Sequence, residues 1–176
     1  PEGQGLTMRN ALNRAVWLCL ALVTLSWLPA HAGALTDFAE NKLVDAMVRG
    51  QAIGAPATWH IGLDTVACTE TGTGTEVAGG GYARVAVAAG LSTWAGTQAA
   101  ASTTASSGTS GTTSNNGVIT FPTPSASWGT VVSMRWWDAA SGGNAWICQA
   151  LTVNKTINSG DTVSFPAGSL TFQIDN

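Results

Sequence analysis

The chain has 176 residues, 45% of them apolar and only 10% charged, with a formal net charge of −3. That length suits one domain, and that composition excludes a disordered polyelectrolyte. Seven scattered Lys/Arg residues, none clustered, exclude a nucleic-acid partner, which needs many phosphate contacts.

Residues 1–7 read as upstream read-in before a natural start at Met8. Arg9 and Arg14 form a basic opening, and "AVWLCLALVTLSWL" at 15–28 is an apolar run. It is short of the ~20 residues that span a bilayer, which suits a signal peptide. Pro29 breaks it, and Ala30 and Ala32 supply small residues at both specificity positions of a signal peptidase. The expectation is a signal at 8–32 cleaved after Ala32, with no membrane association afterwards. The remainder, 33–176, carries five cations against nine acids and is expected to form a single domain. Cys68 and Cys148 remain, an even number for an oxidising compartment. Either they form a disulfide or they pack as two buried thiols.

"ALTDFAENKLVDAMVRG" at 34–50 predicts the one helix. Leu35, Phe38, Ala39, Leu43, Ala46 and Met47 form an apolar stripe. Thr36 fits the N-cap, Asp45 and Arg49 are spaced for an i,i+4 pair, and Gly50 is the stop. Everything after it reads as β. Trp59, Ile61 and Leu63 alternate with His60 and Gly62 in a half-buried strand. "TETGTGTEVAGGG" at 69–81 reads as a loop, and "YARVAVAAGLSTWA" at 82–95 as a strand. The Ser/Thr/Gly-rich stretch 96–117 reads as a flexible surface insertion. "VITFPTP" at 118–124 is a short strand stopped by prolines.

Residues 127–152 predict a hairpin turning at "DAASGGN", with Trp136 and Trp137 on opposite faces of its first strand. "KTINSGDTVSF" predicts a second hairpin, and "SLTFQID" a last strand. The expected fold is mainly β: an antiparallel β-sandwich of jelly-roll character with one N-terminal α-helix.

Chemistry-bearing motifs are sparse. Gly79-Gly80-Gly81 lies between a Thr-rich loop and a strand, where a phosphate cradle would need a following helix. It reads as a hinge into the sheet, with Arg84 bonding carbonyls or snorkelling. A single histidine after residue 32, His60, leaves little scope for a Ser-His-Asp set or a zinc site. Asp138 and Asp161 sit in turn signatures, where Asp caps its own backbone. No catalytic residue, cofactor site or metal site is therefore expected. Trp136 and Trp137 are the remaining lead, as a surface for stacking sugars or meeting a protein partner.

Several blocks together carry a resemblance over about 34–175. They are "LTDFAENKLVDAMV", "GTEVAGGGYARVAV", "FPTPSASWGTV" and "LTVNKTINSGDTVSFPAGSLTFQID". In that order they resemble short tailed-phage virion proteins labelled tail fibre or tail-fibre-like. The resemblance implies a non-enzymatic structural role in the particle, with other virion proteins or copies of itself as partners. It also implies a chain that begins near Ala34, without a signal. The alternatives are a capsid decoration (cement) protein and an exported module binding glycans or surfaces, such as a host-surface glycan.

Overall fold

The computed structural model describes residues 35–97, 103–107, 109 and 111–174. The predicted read-in at 1–7, the signal at 8–32 and its cleavage residues Ala30 and Ala32 lie outside the described residues.

Helix α1 spans Asp37–Val48. Thr36 caps it, its hydroxyl oxygen accepting from the Ala39 N–H at 3.4 Å. The same hydroxyl donates to the Ala145 carbonyl at 2.6 Å, so the cap also ties the helix to the sheet. Arg49 and Asp45 pair at 2.9 Å across one turn. The stripe is covered only in its first half. Ala39 is buried, and Phe38 meets Trp146 edge-on at a centroid distance of 5.3 Å. Met47, expected in the stripe, is 74% exposed.

The chain after the helix is mainly antiparallel β. Its main sheet has strand β1 (Thr58–Val66) at the centre. One edge of β1 carries β2 (Thr75–Glu76) and β3 (Val85–Ala88) in tandem. The other edge carries β6 (Gly129–Trp137) and then β7 (Ala145–Ile157). Two small sheets complete the fold. Strand β4 (Thr112–Ser114) pairs with β9 (Thr171–Gln173). Strand β5 (Ile119–Thr120) pairs with β8 (Ser164–Phe165). Among the described residues, no helix is long and apolar enough to cross a membrane.

One core joins these sheets. Ile61, Leu63, Met134 and Trp136 from the main sheet pack with Ile119, Phe121 and Leu170. Trp94 stacks on Trp136 at 4.5 Å, and Phe172 reaches the same ring at 6.0 Å. Large aromatic rings thus span the gap between the layers.

Three sequence expectations need correction. The 69–81 stretch is not all loop, because Thr75 and Glu76 pair with Val66 and Asp64. The 96–117 stretch is not all surface insertion, because its end forms β4 and buries Asn115 to 1% exposure. The Asn115 amide donates to the Gly117 and Pro166 carbonyls at 2.6 and 2.8 Å and accepts from the Leu170 N–H at 2.9 Å. A polar residue there is satisfied by backbone, so the polar composition gives no sign of burial. Finally, 155–165 is not a local hairpin. Strand β7 runs on to Ile157 against Gly129–Val131, while Ser164 and Phe165 pair with β5. Partners distant in sequence displace the local pairing that the turn residues suggest.

Gly80 sits where no other residue fits. Its φ is +55°, and an added Cβ would stand 2.9 Å from the Ala126 carbonyl oxygen and 3.0 Å from the Trp128 ring. The Trp128 indole N–H donates to the Gly80 carbonyl at 2.9 Å. Gly80→Ala should cost about 3 kcal/mol, combining left-handed strain with overpacking. Gly79→Ala, with the same sign of φ but open space, should cost only about 1 kcal/mol. Urea denaturation of the two variants checks the contrast, and equal losses would refute the close-packing account.

Candidate functional site

Two features of the fold are candidates for function: a polar cluster on one face of the main sheet, and a groove beside β7.

The cluster follows from register. His60 lies opposite Trp137, Gly62 opposite Arg135, and Asp64 opposite both Ser133 and Glu76. Cys148 lies opposite Arg135 on the next strand. Directly paired residues share a face, so these groups converge. Gly62 leaves the space they occupy. A Cβ there would meet Glu76 Oε1 at 2.8 Å, Trp137 Nε1 at 3.0 Å and the Tyr82 hydroxyl at 3.2 Å.

Asp64 is fully buried and Arg135 is 4% exposed. Arg135 Nε donates to both Asp64 carboxylate oxygens at 3.1 and 3.0 Å, and Nη2 pairs with Oδ1. Nη1 donates to the Gly72 carbonyl at 2.7 Å. Burial pushes the Asp64 carboxyl above its usual range, and Arg135 offsets this only in part. Beside it, Arg84 grips Glu76 with two bonds, Nε to Oε1 at 2.8 Å and Nη2 to Oε2 at 2.7 Å. Arg84 Nη1 then donates to the Ala139 and Gly142 carbonyls at 2.7 and 2.8 Å, clamping the β6–β7 turn. The expectation that Arg84 bonds carbonyls is thus met, alongside an ion pair with Glu76 that no local pattern signals. The Tyr82 hydroxyl donates to Glu76 and accepts from the Leu63 N–H. Burial raises its pKa well above the usual tyrosine range.

The structure places the predicted site residues as follows. Trp136 is buried in the core at 3% exposure. Trp137 is half-buried, with the Arg84 guanidinium 3.8 Å and the Arg135 guanidinium 4.4 Å from its ring centroid. Its π-face is therefore already used by cations of the same chain. Cys68 and Cys148 are joined by a disulfide across 80 residues of sequence. The bridge adjoins the ion pair: the Cys68 N–H donates to Ser133 Oγ at 3.0 Å, and Ser133 Oγ donates to Asp64 at 3.5 Å. Asp138 caps the Asn144 N–H at 2.7 Å, and Asp161 caps that of Asn158 at 2.7 Å. Burial alone would raise the Asp138 pKa, but the bonds from Asn144 and Trp146 outweigh it and hold the carboxyl low.

Chemically, the two carboxylates of the cluster are committed. Both Asp64 and Glu76 carboxylates are held by guanidinium groups, leaving neither poised to move a proton. Among the described residues, no group of three or more His, Cys, Asp or Glu side chains could hold a metal ion. The arrangement fastens segments 69–84 and 138–144 onto the sheet.

The groove is the open feature. It has a volume of about 540 Å³ and runs along β7 towards β8. Leu63 and Met134 line it, with Leu151, Val153, Val163 and Phe165. Lys155 and Asp161 add charge to the lining. The register of β7 against β6 shifts between Val131 and Ser133, whose partners are Lys155 and Ala150. Four β7 residues therefore bulge opposite Val132 alone, which lifts Leu151 and Val153 from the ladder. Simple alternation along β7 could not have shown this.

No curated protein matches the chain. Residues 34–173 match the family described as Podophage GP4 fiber I protein gp80, a span that begins at the helix and closes with the last strand. The blocks that carry the resemblance lie inside that span but for the last two residues of the final block, and the chain belongs to the podophage GP4 fiber I protein gp80 family.

Proposed function

We propose that this chain is a non-enzymatic virion module, tail fibre-like and tail- or baseplate-associated, that works by packing against other virion proteins or copies of itself. The observation that carries this reading is the family match over nearly the whole helix-plus-β unit. Two features support it. The charged side chains of the cluster are committed to one another, which suits a rigid building block. The groove, lined about equally by apolar and polar side chains, and the uncovered half of α1 suit protein contacts.

The capsid decoration reading differs only in position on the particle. The glycan reading loses its tryptophan platform, since Trp136 is buried and the Trp137 ring is covered by arginine. In the same proposal, residues 8–32 act as an export leader, and the working module begins directly after them.

Immunogold labelling of purified particles with antibody against this chain is the test. Label at the tail is expected. Label over the capsid would replace the tail reading with decoration, and unlabelled particles would overturn the virion assignment.

A further inference from the structure

The hold of α1 on the sheet is concentrated at its N-terminal end. Within the helix only Ala39 is buried. Just before it, Leu35 bridges Ile147 on β7, the Thr36 N–H donates to the Trp146 carbonyl at 2.9 Å, and the Thr36 hydroxyl donates to that of Ala145. From the other side, the Asp37 N–H donates to the Glu70 carbonyl at 2.8 Å. Residues 35–37 are therefore clasped between two jaws, β7 and the 68–74 loop. The Cys68–Cys148 bridge joins the jaws: Cys68 stands two residues before Glu70, and Cys148 directly follows Ile147.

We propose that this bridge is a redox latch on α1. A small thiol of the glutathione class opens and recloses it on the folded protein, and opening frees residues 35–37 and the helix from the sheet. Access permits the exchange, which needs a thiolate to reach a sulfur. Both cysteines are half-buried, whereas the adjoining Asp64–Arg135 pair is closed off, and Thr69–Thr71 beside Cys68 are exposed. The small thiolate attacks one sulfur, the Cys68–Cys148 bond breaks, a mixed disulfide forms, and the departing sulfur takes a proton from water. A second small thiol displaces the protein sulfur and leaves as the oxidised dimer, so that two protein thiols remain. The oxidised dimer drives the same steps in reverse. The opened state is provided for. Cys68 Sγ lies 3.6 Å from the Met134 carbonyl, an acceptor for the S–H that reduction creates. The loop's hydrogen bonds to the sheet lead to β6, from the Cys68 N–H to Ser133 Oγ at 3.0 Å and from Arg135 Nη1 to the Gly72 carbonyl at 2.7 Å. Without the bridge they leave the loop free to part from β7, yet keep Cys68 near enough for reclosure. A reducing compartment therefore loosens α1 and an oxidising one fastens it, wherever on the particle the module sits.

Hydrogen exchange read by mass spectrometry tests the proposal. The full chain carries Cys19→Ser, so that Cys68 and Cys148 are its only cysteines. Reduced glutathione should open the bridge without denaturant, and oxidised glutathione should restore it. Opening should speed exchange in peptides covering Asp37–Val48 by roughly tenfold or more, with β1 and β6 remaining the slower set. Cys68→Ser with Cys148→Ser should show the fast helix at any glutathione ratio. A bridge that opens only in denaturant would overturn the proposal, as would a helix no faster after reduction or in the serine variant. Helix and sheet converging on one common rate would also overturn it, since reduction would then unfold the whole domain instead of releasing α1.

Discussion

Replacing Arg135 by methionine should lower the free energy of unfolding by about 3–5 kcal/mol at neutral pH, the usual loss when one partner of a buried pair is removed. The cause is the Asp64 carboxylate, fully buried and bonded to Arg135 through both oxygens. Without the guanidinium it keeps, among the described residues, only the weak side-chain bond from Ser133 at 3.5 Å. Methionine retains most of the side-chain volume, so the loss reports charge and not a cavity. The pH dependence has a definite sign. Burial raises the folded-state pKa of Asp64, and loss of Arg135 raises it further. A raised acid pKa means the folded state takes up the proton more readily than the unfolded chain. Its stabilising contribution is full below the unfolded value of about 3.9 and is lost as pH rises through the folded value. The gap between variant and wild type should therefore narrow on acidification. Urea titrations across that range decide the matter. A gap below about 1 kcal/mol at neutral pH, or one that widens in acid, would mean that the pair is not stabilising as described.

Removing the Cys68–Cys148 bridge by double substitution to serine should cost about 4 kcal/mol, since it closes a loop of 80 residues in the unfolded chain. Guanidinium denaturation of the double variant, and of the wild type with and without reductant, measures it. Reduction and substitution should give the same loss. A denaturation midpoint insensitive to both would show that the bridge adds nothing. The two losses should not simply add. Ser133 Oγ accepts from the Cys68 N–H and donates to Asp64, so bridge and ion pair share a neighbour. A coupling of about 0.5–3 kcal/mol is expected in the combined variant.

Local chemistry carried much of the fold on its own. The α1 stretch has a capping threonine, a 3.6-residue apolar period and a stop glycine, and each acts within a few residues of itself. The β6–β7 hairpin is legible for the same reason: Asp138 and Asn144 close their own turn. Family membership is also a property of the residues in order. The long-range arrangement was not legible. Asn115 looks like a loop residue and is a buried bracket, because its partners, Gly168, Leu170 and Pro166, lie some fifty residues away. Asp64 and Arg135 give no local sign that they will meet, since only the β1–β6 register brings them together. The same holds for the bridge, whose cysteines stand on neighbouring segments only after the sheet has formed.

The glycine run shows the division within three residues. Its sequence establishes that the chain bends before a strand. Only the tertiary structure decides that Gly80 passes under Trp128, with no room for a methyl group. Turns, caps and periodicity depend on energies between near neighbours, and a sequence displays those directly. Register, burial and the groove depend on which distant segments pack together, and that choice is settled by the summed contacts of the whole core.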